Sequence, residues 1–380
     1  MSIETNRTVQ DSSLTVHRSL DVETVHGLRP VRNQLPGEPV PYAMASGEGA
    51  RYELDGQLWT VFARAADTGG LFDAAWINGP RHARTPHHVH HHHQRSFTVV
   101  KGSAQVWLGT SSRVLVPGDS FNVPAGTAVA WRFLAHGTRL LTWTAPGGGL
   151  AWVERLGTPV DVHTHRDRPA ADASPRERAD IGAQLGVSFP AGEEVLAAEQ
   201  WDDRLPEGAE PYFLRAGEGD RLRTPDALYT YLSRGRNTDH RYFAIHTVGA
   251  PSQYFGRHFH RQHTENFVCL SGRVWLWVNG VEVLLTAGDF VHAPAGTIHT
   301  FAFDAHQTEL LGILTPDVFE PFFSVLGSPT SDRSYPEPGT VSGESTDLVG
   351  PSFEALQKLQ DELDLVIVGP PPERGAGLDL

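Results

Sequence analysis

The segment HFHRQHTENF sets His258 and His260 two residues apart with Glu265 just beyond, and the later segment GDFVHAPAGTIH delivers His299 through a Pro294-Ala-Gly296 turn. On a strand, residues two apart share a face, so the first two imidazoles aim at one point. Three imidazole nitrogens and one carboxylate oxygen suit a redox-capable divalent ion and leave coordination positions open for a substrate and dioxygen. Without a cation, the same four residues would leave an ionised glutamate buried and unpaired, at a large desolvation cost. His258, His260, Glu265 and His299 are therefore the candidate ligands. Manganese, iron, cobalt, nickel and copper all tolerate such a set.

A second stretch, HHVHHHHQRSF, places six histidines in the seven positions from His87 to His93. Crowding is not a ligand set, because neighbouring residues of an extended segment point to opposite faces. An internal repeat decides between the two stretches. Gly102 matches Gly272, Gly118 matches Gly288, Gly126 matches Gly296 and Pro146 matches Pro316, each pair 170 positions apart. PYAMASGEGARY from Pro41 likewise recurs as PYFLRAGEGDRL from Pro211. In this register His258 and His260 fall on His88 and His90, whereas Glu265 falls on Arg95 and His299 on Val129. Arginine puts a permanent positive charge where a carboxylate should offset the metal. The first copy is thus expected to be a degenerate site without a metal, leaving one divalent ion per chain. A rescue through His92 is open only if the strand stays regular.

The elements that must position these residues read as strands. GRVWLWVNGVEVLLTAGDFVHAPAG alternates apolar and polar residues and is punctuated by Asn279-Gly280, a hairpin signal. Repeated hairpins of this length suit a closed barrel or jelly roll. Between and after the copies, SPRERADIGAQLGV, AGEEVLAAEQW, PFFSVLG and SFEALQKLQDELDL read as helices, the last starting at an N-cap Ser352. The stretch before Gly37 carries no periodicity and is expected as an extended arm.

Bulk composition excludes several classes. With 31 basic and 45 acidic residues the net charge is -14, which argues against nucleic-acid or anionic-membrane partners. One cysteine, Cys269, rules out an intramolecular disulfide, and it is read as a small buried hydrophobe. The opening MSIETNRTVQDSS lacks the basic start and apolar run of a secretory signal, and no window is apolar enough to span a membrane. A soluble, cytoplasmic protein is expected, with a homodimer as the default assembly.

The motifs His-x-His-x4-Glu-x6-Gly and Gly-x5-Pro-x-Gly-x2-His, both filled between His258 and His299, are those of the cupin superfamily. PYFLRAGEGDR, HTENFVCLSG, GDFVHAPAGTIH and FEPFFSVLG extend the resemblance to the bacterial two-cupin quercetin 2,3-dioxygenases over residues 41–330. The Asn that often closes the second motif is Phe303, which is not a ligand position. The resemblance implies an all-β chain of two tandem jelly-roll cupin domains with a few helices. Its expected parts are an arm at 1–37, a metal-free N-terminal cupin at 38–172, a helical linker at 173–204, a metal-bearing C-terminal cupin at 205–330 and an extension at 331–380.

The same resemblance implies a small aromatic substrate and O2. A flavonol such as quercetin would have its central ring opened, with release of carbon monoxide and a depside. Glu265 would act as the base that accepts the proton of an enol-like hydroxyl. Strand parity aims Phe301 and Phe303 with His299, and Tyr254 with His258, so these three are the candidate pocket. The competing readings are a natural-product tailoring oxygenase acting on another enol, diketone or polyphenol, and a cupin that binds a small ligand without turnover.

Overall fold

The computed structural model describes residues 28–166, 172–192, 203–336, 359–360 and 362–373. The expected helix AGEEVLAAEQW and the N-cap at Ser352 lie largely or wholly outside these residues. The first half builds two facing antiparallel sheets. One contains Arg84–His90, Ala128–Phe133, Ala104–Leu108 and Ser111–Leu115, with Val187–Ser188 on its edge. The other runs through Ala50–Leu54, Gln57–Ala63, Asp73–Gly79, Thr138–Ala145, Gln94–Lys101 and Ser120–Val123. The second half repeats the arrangement, and registers agree across the repeat: Val129 pairs with Leu108 and His299 with Val278.

Two short strands cross between the halves. Tyr42–Met44 pairs with Phe290–Ala293 of the second barrel, and Tyr212–Leu214 pairs with Ser120–Val123 of the first. These are the repeated PYAM and PYFL segments, so the duplication has exchanged strands with itself. The repeated Gly-Asp turns explain how each arm is held. Asp289 accepts the Ser46 backbone N–H at 2.8 Å, and Asp119 accepts that of Ala216 at 2.9 Å. A shared apolar layer that includes Phe62, Phe72, Trp143, Tyr242, Phe290 and Ile313 joins the barrels.

Helices are short. Pro175–Leu185 opens with a capping box in which Ser174 and Glu177 satisfy each other's backbone N–H, and Gly186 ends it in the left-handed region. Glu320–Leu326 matches the expected PFFSVLG helix, and its counterpart Ala151–Leu156 is an addition to the helices expected from sequence. After the second barrel, Val366–Gly369 adds an edge strand against Arg257–Phe259, as Val187–Ser188 does against Arg84–His90. The segments read as linker and extension thus each supply a strand to a barrel. Ahead of the first barrel, Val31–Arg32 runs parallel to Tyr42–Ala43.

Candidate metal centre

His258 sits in the middle of the strand Arg257–Phe259, His260 follows that strand, Glu265 is the second residue of the strand Thr264–Ser271, and His299 opens His299–Phe303. His258 and His299 are direct cross-strand partners. The turn between His260 and Thr264 swings the carboxylate back toward the imidazoles. One ligand atom from each of the four residues lies within 4.8 Å of every other, and all four residues are buried. His299 Nε2 stands 2.9 Å and His260 Nε2 3.4 Å from the two carboxylate oxygens of Glu265.

The outer nitrogens fix the tautomers. His258 Nδ1 donates to the Gly256 carbonyl at 2.8 Å, His260 Nδ1 to that of Asp364 at 2.8 Å and His299 Nδ1 to that of Thr297 at 2.9 Å. A carbonyl oxygen can only accept, so each Nδ1 carries a proton, and Nε2 is the nitrogen each ring can offer to an ion. His260 Nε2 is buried with no hydrogen-bond partner. Three inward imidazole nitrogens and a carboxylate converging on one point are the donor arrangement a divalent transition metal satisfies. Burial holds His258 well below the usual imidazole range and pushes His260 down to about 4. Burial alone would raise Glu265, but the adjoining His260, His263 and His299 rings hold it well below the usual carboxylate range. Neutral imidazoles beside an ionised carboxylate are the protonation states a metal needs.

A cavity of about 630 Å³ opens from this cluster and reaches His258 and Glu265. Tyr229, Ile245, Tyr254, Phe255, Phe301 and Leu314 line it, and its described lining contains no Lys or Arg. Of the three residues expected from parity, Tyr254 and Phe301 reach the cavity. Phe303 does not line it and packs instead in the apolar cluster with Phe267 and Leu276, its ring 5.9 Å from that of Phe301. Tyr254 donates to the buried Glu282 carboxylate at 2.5 Å. Cys269 is fully buried among apolar side chains, and burial pushes its thiol up to about 12.

The first barrel lacks this arrangement, and no metal-capable group of His, Cys, Asp or Glu forms there among the described residues. Arg95 Nη1 donates to His88 Nε2 at 2.8 Å, so a guanidinium occupies the lone pair that a metal would take. Val129 is wholly buried. His92 does not join His88 and His90: the strand ends at His90, the chain turns, and His92 is exposed. It is His93 that approaches His90, at 5.6 Å between ring centroids.

Sequence reasoning also missed His263 and Asp364, which pair at 2.7 Å beneath the second cluster. Burial would lower His263, but the Asp364 and Glu265 carboxylates raise it. His263 stood in view as a third histidine of HFHRQH, whereas Asp364 gave no signal because it lies 101 positions away.

Two jelly-roll barrels in one chain, one carrying a buried His3Glu cluster over an apolar cavity, define a metal-binding bicupin. The family model for the cupin domain matches residues 77–144 and 246–311. The chain is 34% identical to the quercetin 2,3-dioxygenase of Bacillus subtilis (strain 168), over 89% of this chain and 98% of that protein. It belongs to the quercetin 2,3-dioxygenase family and is a ring-cleaving dioxygenase. A further relative, the quercetin 2,3-dioxygenase of Aspergillus japonicus, is 29% identical over 41% of this chain and 47% of its own length. Among solved structures, a point variant of the oxalate decarboxylase of Bacillus subtilis superposes with a TM-score of 0.50 at 14% identity, covering 77% of this chain and 79% of that one. At that identity the likeness speaks for the fold alone. No helix among the described residues is long and apolar enough to cross a membrane.

Proposed function

We propose that the second barrel opens the central ring of a flavonol such as quercetin with O2, releasing carbon monoxide and a depside. One divalent transition metal per chain would be held by His258, His260, Glu265 and His299. The observation that carries this reading is the opening of the ligand cluster directly into the apolar cavity, which gives a flat aromatic molecule access to the open coordination positions. A cavity of about 630 Å³ without Lys or Arg in its lining suits such a molecule better than a small dianion.

Tyr254, Phe255 and Phe301 would sandwich and orient the rings, and the surrounding apolar walls would exclude water from the reacting carbon framework. Glu265, held ionised by the imidazoles beside it, would accept the proton of the enol-like hydroxyl at a carboxylate oxygen. Loss of that proton makes the ring system electron-rich enough to reduce dioxygen. A bound divalent ion supplies Lewis-acid stabilisation of the enolate and a path around the spin barrier to dioxygen.

The test is oxygen uptake with quercetin by apo protein reconstituted separately with Mn, Fe, Co, Ni and Cu, with carbon monoxide measured alongside. Uptake that follows metal loading, with carbon monoxide formed in step, is the expected result. A metal-loaded protein that consumes oxygen with another enol, diketone or polyphenol but not with flavonols would reassign the substrate and leave the site standing. A metal-loaded protein that binds phenolics without consuming oxygen would sink the enzymatic reading of the pocket.

A further inference from the structure

The turn Arg261–His263 joins the strand bearing His258 and His260 to the one bearing Glu265, so its shape sets the separation of the ligands. A single residue from the C-terminal segment holds that turn. The carboxylate of Asp364 accepts the Arg261 backbone N–H at 3.0 Å, the Gln262 backbone N–H at 2.9 Å and His263 Nδ1 at 2.7 Å. Its backbone carbonyl accepts His260 Nδ1 at 2.8 Å. Asp364 is itself buried, between the buried Leu363 and Leu365.

The first barrel shows what this position looks like without a metal to serve. Ser188 pairs with Val89, and Val366 pairs with Phe259, the counterpart of Val89 in the repeat. Two residues before these partners stand Gly186 and Asp364. Both have left-handed backbone, at φ +65° and +50° respectively. Glycine adopts that conformation freely, and any residue with a Cβ is disfavoured there, although Asp and Asn tolerate it. In the first barrel the Gly186 carbonyl accepts the His91 N–H at 2.9 Å, and no carboxylate clamps the turn among the described residues. An aspartate retained where glycine would relax the backbone points to a use for its side chain.

We infer that Asp364 is a positioning residue for the metal centre: its carboxylate clamps the Arg261–His263 turn so that His260 and Glu265 are preset at ligand distance. The C-terminal segment is then part of the active site and not an appendage. Asp364 does not hold a second ion in this scheme. Three N–H groups already occupy its carboxylate oxygens, and His260 can present its Nε2 to only one centre. The inference rests on the metal reading given above but not on the choice of substrate.

The test compares Asp364→Gly, Asp364→Asn and the full-length wild type by cobalt affinity, measured by competition against a chromophoric chelator. The visible spectrum of the cobalt-loaded protein reports ligand geometry. Glycine suits the left-handed backbone but takes the acceptor from three N–H groups, so D364G is expected to lower the apo melting temperature, and the cobalt Kd to weaken about 10- to 100-fold. D364N keeps one oxygen acceptor and is expected to fall between D364G and wild type, with a cobalt spectrum closer to that of the wild type. Cobalt bound by both variants with wild-type affinity and spectrum overturns the inference. If D364G does not fold, D364N decides alone: wild-type affinity overturns, weaker binding supports. A wild type that binds cobalt but turns over no flavonol would remove the substrate assignment and leave this clamp intact. A wild type that binds no metal would remove both.

Discussion

The two barrels share strands, register and turns, yet one is solid and the other hollow. In the first, a single apolar cluster runs without a break from Trp59 and Phe97 through Trp131 to Trp152. In the second, two separate clusters flank the cavity, one around Phe243 and Phe323 and the other around Phe267 and Leu276. The repeat shows why. Trp59, Trp131 and Trp152 stand where the second copy has Tyr229, Phe301 and Phe322, and Thr142 stands where it has Gly312. Larger side chains at four equivalent positions take up the space that the second barrel leaves for a ligand. The electrostatics diverge in the same way, since Arg95 places a cation against His88 where Glu265 faces His260 and His299. Closing a jelly roll and equipping it for catalysis are therefore separable tasks. The first barrel packs its interior, and through exchanged strands and the shared layer it braces the second.

The largest effect should come from the ligands themselves. His258→Ala is expected to abolish both metal content and oxygen uptake, whereas His88→Ala should leave both near wild type. Elemental analysis of protein purified without chelator checks this, and two metals per wild-type chain would contradict the contrast. Saturating metal at about 100 times its Kd should stabilise the wild type by about 2.7 kcal/mol in thermal melts, and H258A not at all.

A transplant makes the second barrel resemble the first. Phe301→Trp with Gly312→Thr should narrow the cavity, lowering kcat/KM by about tenfold or more while metal content holds; the scale corresponds to about 1.4 kcal/mol of lost transition-state binding. Unchanged turnover would show that the substrate enters elsewhere.

The converse substitution probes stability. Trp131 is fully buried in continuous packing, so Trp131→Ala should cost about 3–5 kcal/mol in chemical denaturation. Phe301 already faces a cavity, so Phe301→Ala should cost clearly less. Equal losses would mean that the cavity closes in solution.

A further effect concerns acid. Burial pushes His93 of the first barrel down to about 4. Its unfolded counterpart titrates near 6.5, so between those values the unfolded chain binds more protons and stability falls as pH drops. At pH 5 this one imidazole should account for about 2 kcal/mol of the loss. Urea melts of wild type and His93→Gln at pH 7 and pH 5 should show the gap between them shifting by that amount in favour of the variant.

The clustering of the His3Glu quartet was legible because its information is local: a two-residue spacing on a strand, and a Pro-x-Gly turn that delivers His299. The duplication was legible because glycines and prolines at turns hold a constant offset that packing cannot disguise. Parity failed where a strand ended. His92 left the face of His90 as soon as the chain turned, and Phe303 packed into the apolar cluster with Leu276 and does not line the cavity.

Composition and motif spacing alone determined that this chain is a doubled β-barrel in which one copy keeps the full His3Glu pattern and the other departs from it. Only the tertiary structure decided that the copies exchange strands, that four larger side chains close the first barrel, and that a C-terminal aspartate holds the turn between His260 and Glu265. Periodicity reports which face a residue takes, because that follows from backbone geometry a few bonds away. Which distant residue meets that face depends on how sheets close in space, and no local pattern carries it.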